Sequence, residues 1–224
     1  MTLFAILALG FLLGVRHAAD SDHVVTVTTI IARARSPFAA VGVGALWGLG
    51  HTVTILLVGG AIVVFGWVIP PRLGLSLELS AAVMLIVLGT TNLTNAITPR
   101  LTRHEHASQF RLAAGGSLRP LAVGMVHGLA GSAAIALLVV ASMTSAHMGL
   151  VYLAVFGAGT VAGMMLLTLA MSLPIRALAS RYADAGNMMA RATGVLSIAF
   201  GLFLAYRIGI ADGLFFGTPS WSPH

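Results

Sequence analysis

Six stretches of this chain, about residues 3–32, 37–69, 75–97, 119–143, 149–171 and 190–209, run for roughly twenty residues or more with almost no charge. A helix rises 1.5 Å per residue, so about 20 apolar residues cross the hydrocarbon layer with every backbone N–H and C=O satisfied inside the helix. Only 8% of the residues are charged while 58% are hydrophobic, and the mean hydropathy is +0.99. Ordinary soluble domains carry roughly 25% charged residues, so the charge here is too sparse to cover a water-facing surface. The expected fold is an all-α polytopic membrane protein with about six transmembrane segments.

All twelve basic residues are arginine and the net charge is +6, a balance that would otherwise suggest nucleic acid. Their placement says otherwise. Arg33, Arg35, Arg100, Arg103, Arg111, Arg119, Arg176, Arg181 and Arg191 fall in one set of alternate loops, Arg72 and Arg207 lie on the opposite side, and Arg16 lies within the first segment. The excess of arginine marks the cytoplasmic face. The chain is therefore expected to cross the cell (inner) membrane several times, with both termini outside the cytoplasm and the lipid bilayer, not nucleic acid, as its partner. The first segment lacks the basic start and clean cleavage site of a signal peptide. Without cysteine there is no disulfide, thiolate metal site or cysteine nucleophile.

The sequence divides into three spans over 1–97, an Arg-rich cytoplasmic loop over 98–118, three more spans over 119–210, and a short external tail, 211–224. The halves rhyme. Gly14-Val15-Arg16-His17-Ala18 matches Gly124-Met125-Val126-His127-Gly128, and Trp47-Gly48-Leu49-Gly50-His51-Thr52 matches Phe156-Gly157-Ala158-Gly159-Thr160. With an odd number of spans in each half, the halves enter the membrane from opposite sides. Inverted three-helix repeats of this kind belong to transporters, which hold substrate near the midplane at discontinuous helices. The first two segments, too long for one straight span and too short for two, are both expected to be broken. Small residues spaced by four, Gly10/Gly14, Gly44/Gly48, Gly124/Gly128 and Gly159/Gly163, point to close helix packing.

Ionisable side chains inside a membrane are costly and mark functional sites. Arg16, His17, Asp20, Asp22 and His23 fall within eight residues, and His51 and His127 lie in the second and fourth segments. At roughly 100° per residue a regular helix puts His17, Asp20 and His23 on one face and turns Asp22 away. It also allows an i,i+4 ion pair between Arg16 and Asp20. A break at Ser21-Asp22, both good helix caps, instead turns Asp22 toward the histidines and leaves Asp20 to neutralise Arg16. The excess length of the segment favours the break. Neutral imidazole with carboxylate suits Ni²⁺, Co²⁺, Zn²⁺ or Fe²⁺. His17, Asp20, Asp22, His23 and His51 are the candidate ligands, and His127 and Ser132 are candidates for the metal's pathway. His104-Glu105-His106, in the Arg-rich loop, reads as solvated surface.

The octapeptide Arg16-His17-Ala18-Ala19-Asp20-Ser21-Asp22-His23 resembles the first motif of the nickel/cobalt transporter family (NiCoT), R-H-A-x-D-A-D-H. That resemblance implies metal recognition by His17, Asp20, Asp22 and His23. Longer members have eight spans and a later L-G-F-D-T-A-T-E motif, whose nearest counterpart here, Leu49-Gly50-His51-Thr52-Val53-Thr54, has no acid. The chain is more similar to the shorter, six-span urease-accessory or NicO-like permeases, in which a G-H pair in the second span and an element like Gly124–Ala133 are typical. The implied activity is Ni²⁺ or Co²⁺ uptake, with the metal as transported substrate and no cofactor. A cytoplasmic metal chaperone or nickel-enzyme maturation system is the implied partner. Efflux of the same ions and an intramembrane metal-dependent hydrolase are the alternatives. H-E-x-x-H is absent, so the hydrolase would need Asp20 or Asp22 as its base.

Overall fold

A computed structural model describes residues 3–32, 36–66, 69–97, 118–128, 145–181 and 184–220. Among these the chain is helical, with no strand. The helices are α1 (Leu3–His17), α2 (Ser21–Ile31), α3 (Pro37–Phe65), α4 (Pro71–Ile97), α5 (Arg119–Gly128), α6 (Ala146–Arg181) and α7 (Ala185–Tyr206). The last turn of α7 widens over Arg207–Ala211, where Asp212 N–H reaches back five residues to the Arg207 carbonyl. Four helices are long and apolar enough to cross a bilayer: α3, α4, α6 over Ala146–Leu178, and α7 with its extension. The pair α1–α2, bent by 56°, makes a fifth span if counted as one. The second half of the fourth apolar segment, with Ser132, lies outside the described residues, as do most of the Arg-rich loop and His104-Glu105-His106.

Large apolar side chains cover the outside, and polar side chains share the interior with the apolar core. Phe4, Leu12, Leu57, Val87, Leu166, Leu202 and Phe203 are exposed, whereas His17, His23, Thr26, His51, His127, Thr160, Thr168 and Ser197 are buried. Lipid is the solvent that tolerates such a surface. The buried hydroxyls need no distant partner, because most bond the carbonyl one turn back, as Thr26 does to Asp22 and Thr168 to Met164.

The first segment breaks, but over residues 18–20, directly before Ser21-Asp22. Helix α1 ends at His17, Ala19 and Asp20 close tight turns onto the carbonyls of Arg16 and His17, and Asp20 is the extended residue that opens α2. The second segment does not break. Helix α3 runs unbroken for 29 residues, capped by the Ser36 hydroxyl and Pro37 and stopped by Gly66 in the left-handed region at φ 65°. The glycines at its centre are spent on packing instead. Gly50 faces the Leu121 carbonyl and Met125 N of α5, and Gly48 faces Val161 of α6. At 1.5 Å per residue α3 is about 43 Å long, so it outreaches the hydrocarbon layer without a kink. Helix α6 likewise runs past its expected end near 171 and continues through Pro174 to Arg181.

All four small-residue pairs sit at helix crossings. Gly10 and Gly14 lie against Tyr152, Phe156 and Thr160 of α6, and Gly159 and Gly163 of α6 lie against Phe11 and Val15 of α1 and Ala18 just after it. Gly44 and Gly48 meet Thr168, Met164 and Val161, while Gly124 and Gly128 meet Trp47, His51 and Thr54. Between α4 and α7, Gly89 abuts the Gly194 carbonyl and Gly201 abuts that of Ala82. A β-carbon on Gly50 or Gly124 would run into the opposing backbone. Gly50→Val and Gly124→Val are therefore each expected to destabilise the protein by about 1–3 kcal/mol or more, read as lower yield and melting temperature in detergent. Gly42→Val, whose added carbon meets nothing within 4 Å, is the control and should behave as wild type.

Candidate metal site

The break between α1 and α2 gathers the titratable residues. His17 closes α1, Asp22 and His23 lie in the first turn of α2, His51 stands mid-way along α3, and His127 comes from α5. His23, His51 and His127 are fully buried and His17 is 6% exposed. Their rings form one stack of contacts. His23 is central, with ring centroids 4.7 Å from His17, 5.2 Å from His51 and 4.6 Å from His127, whereas His51 and His127 are 6.2 Å apart.

Hydrogen bonds fix which nitrogens carry lone pairs. A carboxylate only accepts, so His17 donates Nδ1–H to Asp20 at 2.8 Å and its Nε2 is bare. That Nε2 lies 2.8 Å from His51 Nε2, which must be the donor and leaves His51 Nδ1 bare. His23 donates Nδ1–H to the His17 carbonyl at 2.9 Å, and its Nε2 has no hydrogen-bond partner. His127 donates Nε2–H to Asp22 at 2.8 Å, and its Nδ1 has none. Buried polar atoms are ordinarily satisfied. Three buried imidazole nitrogens in one cluster, His23 Nε2, His51 Nδ1 and His127 Nδ1, thus have no hydrogen-bond partner, and a cation is what such a cluster could take up, with backbone and carboxylate partners holding the rings.

The spacing suits such an ion. One nitrogen each from His17, His23 and His51 lies within 4.8 Å of the others, and so do donors from Asp22, His23 and His127. Two nitrogens bound to one ion at 2.0–2.1 Å with a right-angle bite stand about 2.9 Å apart, close to the 2.8 Å between His17 and His51. For both to face one cation, His51 must move its proton to Nδ1, which has no other hydrogen bond.

Of the residues singled out in the sequence, the structure brings together His17, Asp22, His23 and His51, and His127, a candidate for the metal's pathway, stands in the same cluster against Asp22. The Arg16–Asp20 pair is a correction. That pair needed a helix continuing through residue 20, but α1 stops at His17 and the turn redirects Asp20 to the His17 ring, while Arg16 is exposed. Asp20 thus forgoes capping α2 with its side chain. Trp47 and Phe156 were not foreseen as site residues. Trp47 packs edge-on against His23 and His127 at 5.3 and 5.8 Å, and Phe156 tilts over His17 at 5.6 Å. Their matched places in the two halves, each followed by glycine, were the available signal.

Helices of bilayer length around a buried cluster of imidazoles and a carboxylate define a multi-pass membrane protein built to handle a divalent transition metal. The profile of the NicO family, described as High-affinity nickel-transport protein, matches residues 3–109. The urease accessory protein UreH of Bacillus sp. (strain TB-90) is 35% identical over 223 residues, covering 95% of this chain and 96% of that protein. The chain belongs to the NicO family of nickel transporters. No solved structure matches it.

Proposed function

We propose that this protein carries Ni²⁺, with Co²⁺ as the nearest alternative cargo, into the cytoplasm through His17, Asp22, His23 and His51, with His127 beside them and Asp20 orienting His17. The observation that carries the reading is the buried group of bare imidazole nitrogens at the break of the first span. The similarity to a urease accessory protein supports delivery to a nickel-enzyme maturation system, through a cytoplasmic chaperone or directly. The membrane potential can drive uptake, since two charges crossing about 100 mV gain roughly 4.6 kcal/mol. The test is radioactive nickel uptake by purified protein in liposomes. Accumulation that rises with an inside-negative potential supports import. Loss from preloaded vesicles without accumulation reverses the direction, and no flux either way ends the reading.

We further propose six spans, as two inverted repeats separated near 98–118. Equivalent contacts in the two halves support the repeat. Gly14 meets Phe156 as Gly124 meets Trp47, and Gly159 meets Phe11 as Gly50 meets Leu121. The arginine distribution supports cytoplasmic placement of 98–118 and external termini. Because the chain has no cysteine, single cysteines report sidedness without background. An impermeant maleimide should label Ser220→Cys in intact cells, and Thr102→Cys only after lysis; the opposite pattern inverts the topology.

A further inference from the structure

The donors of the cluster fall into two triads with one member in common: His17, His23 and His51, and Asp22, His23 and His127. We propose that these are two successive stations for a single ion, with His23 the ligand held throughout the transfer. The proposal rests on the nickel-transport reading above and adds how the ion moves. Each station contains a pair of atoms 2.8 Å apart, His17 with His51 and His127 with Asp22, and an ion takes the place of the hydrogen between them once His51 or His127 shifts its proton from Nε2 to the unpartnered Nδ1. His23 lies between the pairs, nearer to every other ring than His51 is to His127. Its Nδ1 is tied to the His17 carbonyl, so Nε2 is the only nitrogen it has to offer. One lone pair serves one ion, and the two stations therefore exclude each other.

The stations also differ in character and in access. The first triad is all nitrogen, whereas the second includes the Asp22 carboxylate. On the topology proposed above, α1 descends to His17 from the outside and α5 rises to His127 from the cytoplasm. An inward-moving ion then meets the neutral station first and passes to the charged one. Trp47, packed against both His23 and His127, walls the passage between them, so the ion keeps protein ligands instead of regaining water.

The experiment is equilibrium binding of Ni²⁺ to the full-length protein in nanodiscs, paired with liposome uptake at saturating Ni²⁺. Wild type should bind one ion. His51→Ala and His127→Ala should each still bind one ion at the affinity of the station left intact, so that at least one of the two stays within about twofold of wild type, and their double variant should bind none. Both single variants should lose uptake even at saturation, because the remaining station holds the ion but has nowhere to pass it. Should either alanine variant fold poorly, His51→Gln and His127→Gln keep a polar head in place and carry the same expectation. Two ions bound at once, all binding lost in one single variant, or normal uptake in either would overturn the relay and leave nickel transport standing. Wild type that binds no Ni²⁺ would overturn both.

Discussion

His23→Ala is expected to abolish nickel uptake and to weaken Ni²⁺ binding by more than about 100-fold, with the fold retained. Loss of a residue that only supports a ligand already costs 10–100-fold in affinity, and His23 is the residue that the other rings of the cluster surround. The fold should survive for a specific reason. Removing the ring takes one hydrogen bond from the His17 carbonyl, but that carbonyl also accepts the Asp20 N–H at 3.1 Å, so the turn keeps its closing bond. Binding of radioactive nickel and size-exclusion behaviour in detergent check the two halves of the statement. A folded His23→Ala protein with normal uptake would strike His23 from the ligands.

The two aspartates should separate. Asp22→Asn leaves a carbonyl oxygen that can still accept the His127 Nε2–H, so packing is preserved, but it removes the carboxylate charge that is 81% withdrawn from solvent, with 19% exposure against 42% for Asp20. A dication among neutral imidazoles then lacks its nearest negative charge, and uptake is expected to fall at least about 100-fold. Asp20→Asn keeps an acceptor for His17 at a half-exposed position, where water screens the lost charge, and should cost about tenfold. Adding Arg16→Gln to Asp20→Asn should rescue nothing, since the two side chains do not pair. Equal losses for the two asparagine variants, measured as uptake against Ni²⁺ concentration, would contradict this division of roles.

The membrane class, the close-packing glycines and the residues of the cluster were legible because each is written in residue type and spacing. The bend in the first span was legible in the acidic and capping residues at its middle, whereas excess length alone decided nothing, since α3 is as long and runs unbroken. What the sequence could not settle was which of several uses a residue would have. Gly48 and Gly50 permit an irregular backbone and equally permit a neighbouring helix to approach, and only the presence of α5 and α6 decides for the second. Asp20 had two hydrogen-bond donors within reach, Arg16 and His17, and the choice turned on where helix α1 stops. The repeat marks His127 as a counterpart of His17, but its pairing with Asp22, 105 residues away in sequence, is not readable from either segment. A contact of that length leaves no local trace.

The chain between His17 and His23 has a consequence best put in the language of coordination chemistry. The main-chain oxygen of His17 holds the His23 ring while the His17 side chain faces His51, so with both imidazoles as the ligands proposed above the pair would be a chelate whose backbone is the 56° bend itself. The bite of that chelate is set when the span folds, before any ion arrives. An ion whose preferred ligand spacing differs from this bite has to flex a membrane-crossing helix in order to bind. Selectivity in such a site comes from the stiffness of the bend as much as from the donor atoms at its ends.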